Sequence, residues 1–317
     1  MTNKPCDIVD LAGKAGVYKS KLGPGNLLLR GFMAGLYIAV GGALATICST
    51  GVADYLGPGM AKVIAGAVFP VGLIAIVLTG MELFTGDAML VPMAAMMKKV
   101  SWKKVGYIWG IVYVGNFVGS LFWALIMVVG PLQTGTLPEV SGAAVSDSGF
   151  VLNAFGVNAV NIAAAKTLTY KAAGGIMGMS SVLFAAIACN LLVNVAILLA
   201  FSAKNMIGKF FGIWFPIFAF VASGFEHCVA NMYFIPTGMM ALGLHPEYVP
   251  PAGSLLAYYG GITMSDFLVW NLIPVTIGNI IGGLIFVGVI YFYSFKGELP
   301  TTCPDDLPGG PPANGSI

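Results

Sequence analysis

The chain writes one polar pattern twice inside apolar sequence. Phe69-Pro70, Thr79-Gly80-Met81-Glu82, Asp87 and Pro92 recur as Phe215-Pro216, Ser223-Gly224-Phe225-Glu226, Asn231 and Pro236. In both copies an acid or amide follows the glutamate by five residues, and a proline follows by five more. Each copy is trailed by a second shared element, Gly115-Asn116-Phe117-Val118-Gly119 and Gly278-Asn279-Ile280-Ile281-Gly282. A Gly/Pro-interrupted apolar segment in matching positions of two halves points to broken membrane helices that meet around a transport site.

Composition fixes the solvent. Of 317 residues, 58% are hydrophobic and 9% charged, with mean hydropathy +0.89. A soluble domain carries about 25% charged residues, so this is an all-α integral membrane protein. Apolar runs of the roughly 20 residues that a spanning helix needs fall at about 27–50, 60–97, 105–130, 180–201, 208–242 and 267–294. The second and fifth are too long for one crossing and carry the Thr/Ser-Gly-x-Glu element, so each reads as two half-helices. Non-helical backbone at that depth must be buried in protein or line a cavity.

Twelve basic residues lie on one side of these spans and three, Lys62, Lys166 and Lys171, on the other. The excess places both termini in the cytoplasm. Three crossings per half then force the halves, about 27–130 and 180–294, into opposite orientation: an inverted repeat. Residues 1–26 read as a cytoplasmic segment without a cleavable leader, and 131–179 as a long external connection. The Pro/Gly-rich stretch 297–317 reads as a disordered cytoplasmic tail. Cys6, Cys48, Cys189, Cys228 and Cys303 show no metal-ligand spacing.

His227 is the sharpest single residue. It sits beside Glu226 at the fifth-span break, where the first half has Leu83. Ionisable residues inside a membrane mark pathways or proton relays, and histidine titrates near neutrality; the plainer reading is a hydrogen bond between helices. Glu82 and Glu226 form a symmetric pair, each placed to accept backbone N–H groups left unpaired by a break. That scaffold role is favoured over substrate contact. Thr85, Asn190 and Asn231 are neutral polar residues in apolar surroundings. They could staple helices or serve a small oxyanion. The GxxxG-spaced glycines suit close helix packing. Phe69, Leu73, Leu83, Phe84, Val193 and Phe220 read as ordinary apolar span residues. Lys166 and Lys171 are solvated loop lysines or cations that concentrate anions at a vestibule.

Taken together, Phe69–Leu73, Thr79–Asp87, Gly115–Gly119, Cys189–Val193, Gly224–Pro236 and Asn271–Gly283 resemble the formate/nitrite transporter family, the stretches Glu226–Pro236 and Asn271–Gly283 being nearest its formate members. The resemblance implies an aquaporin-like protomer with six spans, the second and fifth broken, in a homopentamer with one pore per protomer. Phe69, Leu73, Leu83, Phe84, Val193 and Phe220 match positions that form two hydrophobic constrictions. His227 matches the central histidine, Glu226 the neighbouring acid, and Thr85, Asn190 and Asn231 the polar residues near it. A vestibule lysine matches Lys166, with Lys171 as the rival because an insertion around 172–180 would lengthen the spacing.

The implied activity is passage of formate with protonation near the central histidine. The proton comes from His227 or from water as the carboxylate loses hydration. Nitrite, hydrosulfide, acetate and lactate are the alternative cargoes, each a small anion with a neutral acid form. The expected partners are that anion, protons, the cell-membrane bilayer and four further copies of the chain, with no cofactor and no nucleic acid. An aquaporin-type pore ranks low, since no Asn-Pro-Ala stands at either break. A haem subunit would need paired membrane histidines, and no enzymatic motif is present.

Overall fold

The computed structural model describes residues 2–135 and 149–299. The helices are α1 (Pro5–Lys21), α2 (Pro24–Ser49), α3 (Val52–Val68), α4 (Val71–Thr79), α5 (Phe84–Met96), α6 (Trp102–Val129), α7 (Ala154–Ala173), α8 (Gly175–Ser202), α9 (Met206–Ala222), α10 (Cys228–Leu244), α11 (Leu255–Tyr259) and α12 (Met264–Phe295). A small hairpin, β1 (Gln133–Gly135) with β2 (Phe150–Leu152), lies before α7. The spans are α2, α3–α5, α6, α8, α9–α10 and α12, two groups of three with a broken member in each. The sixth, α12, includes the π-helical stretches Leu268–Leu272 and Ile281–Val289.

Both breaks are built alike. α4 ends at Gly80 (φ 74°) and α9 runs into Gly224 (φ 74°), a left-handed conformation that glycine adopts without a Cβ clash. Met81 N–H then reaches back to Ile76 O (3.0 Å), and Phe225 N–H to Phe220 O (3.1 Å). Two N-cap residues in extended conformation, Leu83 and His227, start α5 and α10.

Small residues let the spans approach. Gly31, Gly35, Gly115 and Gly119 bring α2 and α6 together, and Gly278 and Gly282 bring α12 onto α8. A Cβ at Gly35 would fall on the Asn116 carbonyl, whereas one at Gly23 would meet nothing within 4 Å.

One boundary differs from the sequence expectation, and two elements add to it. The second span starts at Val52 rather than near 60, because Gly57 (φ 81°) and Pro58 kink the helix without ending it. The connection after α6 holds the 20-residue α7, started by Asn153, whose side chain accepts the Phe155 and Gly156 N–H groups (3.0 Å each). The N-terminal segment is helical too. α1 buries Val9 and Ala12 against a cluster with Met89, Met93 and Ile197. From residue 300 the C-terminal tail lies outside the described residues.

The α2–α6 approach yields a test. Gly35→Val is expected to abolish folded, monodisperse protein in detergent, since Cβ overlaps backbone that cannot rotate away, while Gly23→Ala elutes as wild type on size exclusion. Normal elution of Gly35→Val would contradict this packing.

Candidate functional site

Each break exposes helix-terminal N–H groups in a medium without water, and two asparagines satisfy them. Asn116 on α6 accepts Phe84 N–H (2.9 Å) and donates to Gly31 O (2.8 Å) and Glu82 O (3.0 Å). Asn279 on α12 accepts Cys228 N–H (2.8 Å) and donates to Ala186 O (2.8 Å) and Glu226 O (2.9 Å). Both are fully buried. The second shared sequence element is therefore more than a packing motif. Its glycines allow approach and its asparagine clamps the break.

The glutamates do something other than accept those N–H groups. Glu226 takes Lys166 Nζ (3.1 Å), Tyr170 OH (3.0 Å), Asn231 Nδ2 (2.6 Å) and Asn271 Nδ2 (3.3 Å). Glu82 takes Lys19, which also pairs with Asp87 (2.8 Å). Burial opposes the charge on Lys19, but Asp87 and Glu82 outweigh it and hold its ammonium above the ordinary lysine range. Thus α1 and α7, both lying outside the six spans, each deliver a lysine to one glutamate. Lys19 had no role assigned from sequence, since nothing local distinguishes it from the other basic residues of its segment. Tyr170 and Asn271 were likewise not foreseen.

Two cavities flank the breaks. One, of about 410 Å³, is lined by Lys19, Arg30, Leu73, Glu82, Leu83 and Asp87 among others. The other, of about 240 Å³, is lined by Lys62, Phe69, Lys166, Phe220, His227 and Asn231 among others. Between them lies a neck walled by Ile38, Phe69, Leu73, Leu83, Val193, Ile217, Phe220 and His227, without room for a water molecule. Leu73 and Leu83 close it toward the Lys19 cavity, and Phe69 and Phe220 toward the Lys166 cavity, their rings edge to face at 5.6 Å. Phe84 lines neither cavity nor neck; its ring packs edge-on against Trp109 and Tyr113. Lys171 pairs with Asp266 (2.8 Å), which leaves Lys166 as the cavity lysine of the two.

Among the described residues, His227 is the one ionisable side chain of the neck wall. Its Nδ1 accepts Ala230 N–H (3.0 Å), capping α10, and its Nε2 lies 3.0 Å from Thr85 Oγ1. An acceptor at Nδ1 assigns the ring hydrogen to Nε2, so the imidazole is a neutral donor toward Thr85. Phe220 stacks on the ring (5.8 Å, 21°) and fixes its plane. Asn190 lies behind Thr85 and braces the two halves, donating to Thr85 O (3.1 Å) and Asn279 O (2.6 Å). Asn231 Oδ1 and Asn190 Oδ1 have no donor among the described residues. Leu83 and His227, the N-caps of α5 and α10, both face the neck, so the positive ends of two helix dipoles point there.

Replacing a clamp asparagine tests this construction. Asn116→Leu and Asn279→Leu each orphan one N–H and two carbonyls, at about 1–3 kcal/mol per buried group. Both are expected to lower the melting temperature in detergent well beyond Asn205→Leu, which removes an exposed N-cap. Equal melting shifts for all three would refute the clamp.

Comparison with known proteins identifies the family. The family model described as Formate/nitrite transporter matches residues 6–293. A probable formate transporter of Methanothermobacter thermautotrophicus is 38% identical over 93% of this chain and 97% of its own length. The formate channel FocA of Escherichia coli K12 is 32% identical over 93% and 95%. Among solved structures, a pentameric formate channel with formate bound superposes with a TM-score of 0.63 at 30% identity, covering 88% of this chain and 98% of the other. An FNT family ion channel reaches 0.68 at 26% identity, over 91% and 98%. With matches running through both breaks, both clamps and the neck, this chain belongs to the formate/nitrite transporter family.

Proposed function

We propose that this protein passes formate across the cell membrane, and that the anion crosses the neck as the neutral acid. The observation that carries the reading is an apolar neck without room for water between two cavities, with His227 as its only ionisable wall residue among the described residues. A bare charge at the bilayer centre costs from about 2.5 kcal/mol to far more. The two helix dipoles aimed at the neck favour approach of an anion, and the apolar rings then admit only a species that has lost its charge. As formate sheds water between Phe69 and Phe220 its carboxylate becomes a stronger base and takes a proton. The Nε2–H of His227 and the hydroxyl of Thr85 form a polar edge along which that proton is handled. Because Nδ1 is occupied by Ala230 N–H, the reading favoured is a proton drawn from water of the Lys166 cavity, the hydroxide so formed staying in that cavity to be neutralised from bulk, with His227 orienting the acid by hydrogen bonding.

Lys166, held by Glu226, marks the cavity on the external face, and Lys19 the cytoplasmic one, as the basic-residue bias requires. The relatives named above and the pentameric neighbour support formate as cargo and a homopentamer as the assembly. Exposed apolar side chains along α6 (Val114, Val118, Phe122, Leu125) suit lipid or a neighbouring copy. His227, Thr85, Asn190, Asn231, Glu226 and Lys166 form the proposed polar pathway and its bracing. Phe69, Leu73, Leu83, Val193 and Phe220 form the proposed neck.

Proteoliposome uptake with His227 variants tests the proposal, alongside a panel of nitrite, hydrosulfide, acetate and lactate. His227→Asn keeps an N-cap oxygen for Ala230 N–H but has no ring proton. His227→Phe keeps only the bulk. Acid-stimulated formate uptake is expected to fall about a hundredfold in both, with fluxes of the panel anions below that of formate in wild type. Unchanged rate and pH dependence in both variants would contradict the role given to His227 in orienting the acid.

A further inference from the structure

The two cavities differ in charge. The Lys19 cavity is lined by Lys19 and Arg30 and by Glu82 and Asp87. Among the described residues, the Lys166 cavity is lined by two lysines, Lys62 and Lys166, and by no carboxylate side chain. Lys166 is already neutralised, since Glu226 stands behind it 3.1 Å away and is itself held by Tyr170. Its head group is further occupied by the Phe234 ring at 5.5 Å. Lys62 has no such partner. Among the described residues no carboxylate lies within ion-pair distance of it. From α3 it extends across the cavity mouth to the fifth-span break. A Cβ added to Gly224 would meet its Nζ at 3.7 Å. The side chain is exposed, and its ammonium sits over the turn that leads through Phe225 and Glu226 to His227.

We propose that Lys62 is the anion-capture residue of this cavity, the exposed and uncompensated cation that draws a small carboxylate from bulk water to the Phe69–Phe220 ring. This rests on the reading of the protein as a transporter of small weak-acid anions. Lys166 cannot fill the role alone, because its field is cancelled by Glu226 at hydrogen-bond distance. A solvated ammonium at a narrow mouth with low-dielectric walls concentrates anions and raises their capture rate. Its field is screened by salt over about 8–10 Å near physiological ionic strength. The captured anion is handed on before it is protonated, so Lys62 acts on entry and not on passage through the neck. Entry from the Lys19 cavity, where basic and acidic side chains are matched, has no equivalent.

The test is initial formate uptake into proteoliposomes at several formate and salt concentrations, for wild type, Lys62→Gln and Lys62→Arg. In wild type the half-saturating concentration is expected to rise with ionic strength. Lys62→Gln is expected to raise it about fivefold at low salt, to lose its salt dependence and to retain the wild-type maximal rate. Lys62→Arg, which keeps the charge, is expected to follow wild type. A Lys62→Gln variant with unaltered half-saturation and unaltered salt response would overturn the inference while leaving formate transport standing. A wild-type preparation without formate flux would instead overturn the transport reading on which the inference rests.

Discussion

A pair of buried asparagine side chains carries the rest of the structure. Where a helix is interrupted inside a membrane, the freed N–H and carbonyl groups have no water to turn to. Asn116 and Asn279 each supply one acceptor and two donors at that point, to equivalent partners in the two halves. Glu82 N–H and Glu226 N–H extend the same correspondence by reaching Arg30 O (3.4 Å) and Ala185 O (3.3 Å). With the break held by amides, the N-cap positions are free to carry side chains that face the neck. One half uses that freedom for Leu83, and the other for His227.

That difference makes the pore asymmetric in chemistry while its backbone stays nearly symmetric. Leu83 contributes only apolar bulk to the neck. His227 caps its helix with Nδ1 and turns Nε2 toward Thr85 of the opposite half. A hydrogen bond across the repeat boundary therefore sits where an unhydrated cargo would pass. Lysine–glutamate pairs outside the neck finish the scheme. Each break carries an acid needed for local structure, and each acid is answered by a lysine from an extra helix, α1 on one side and α7 on the other. Among the described residues, the neck is in this way left without a carboxylate that would repel an anion.

Much of this was legible in the chain. The duplicated Thr/Ser-Gly-x-Glu element located both breaks, because left-handed glycines and a charge in an apolar run leave few other options. His227, Thr85 and Asn231 stood out as polar side chains in apolar sequence, whereas the apolar neck residues read as ordinary span residues and were marked only by the family resemblance. What sequence could not supply were interactions between distant segments. Lys19 lies 63 residues from Glu82, and its segment looks like any basic terminus. The asparagine of the Gly-Asn-x-x-Gly element was overshadowed by its glycines, although its recurrence in both halves was an available signal. α7 was hidden in a stretch of small residues whose helicity depends on packing against α10. Phe84 was grouped with the neck residues through resemblance, yet its ring fills space between α5 and α6. Leu83 is the extended N-cap and Phe84 the first helical residue, so adjacency in sequence does not bring their side chains onto one face.

The central claim is that cargo crosses the dry neck uncharged. Its most direct test is simultaneous recording of formate influx, internal pH and net charge movement in reconstituted membranes held at a fixed potential. One proton entering with each formate and no net current is the predicted result. Formate influx that carries one negative charge, leaves internal pH unchanged and scales with the applied potential would contradict the account.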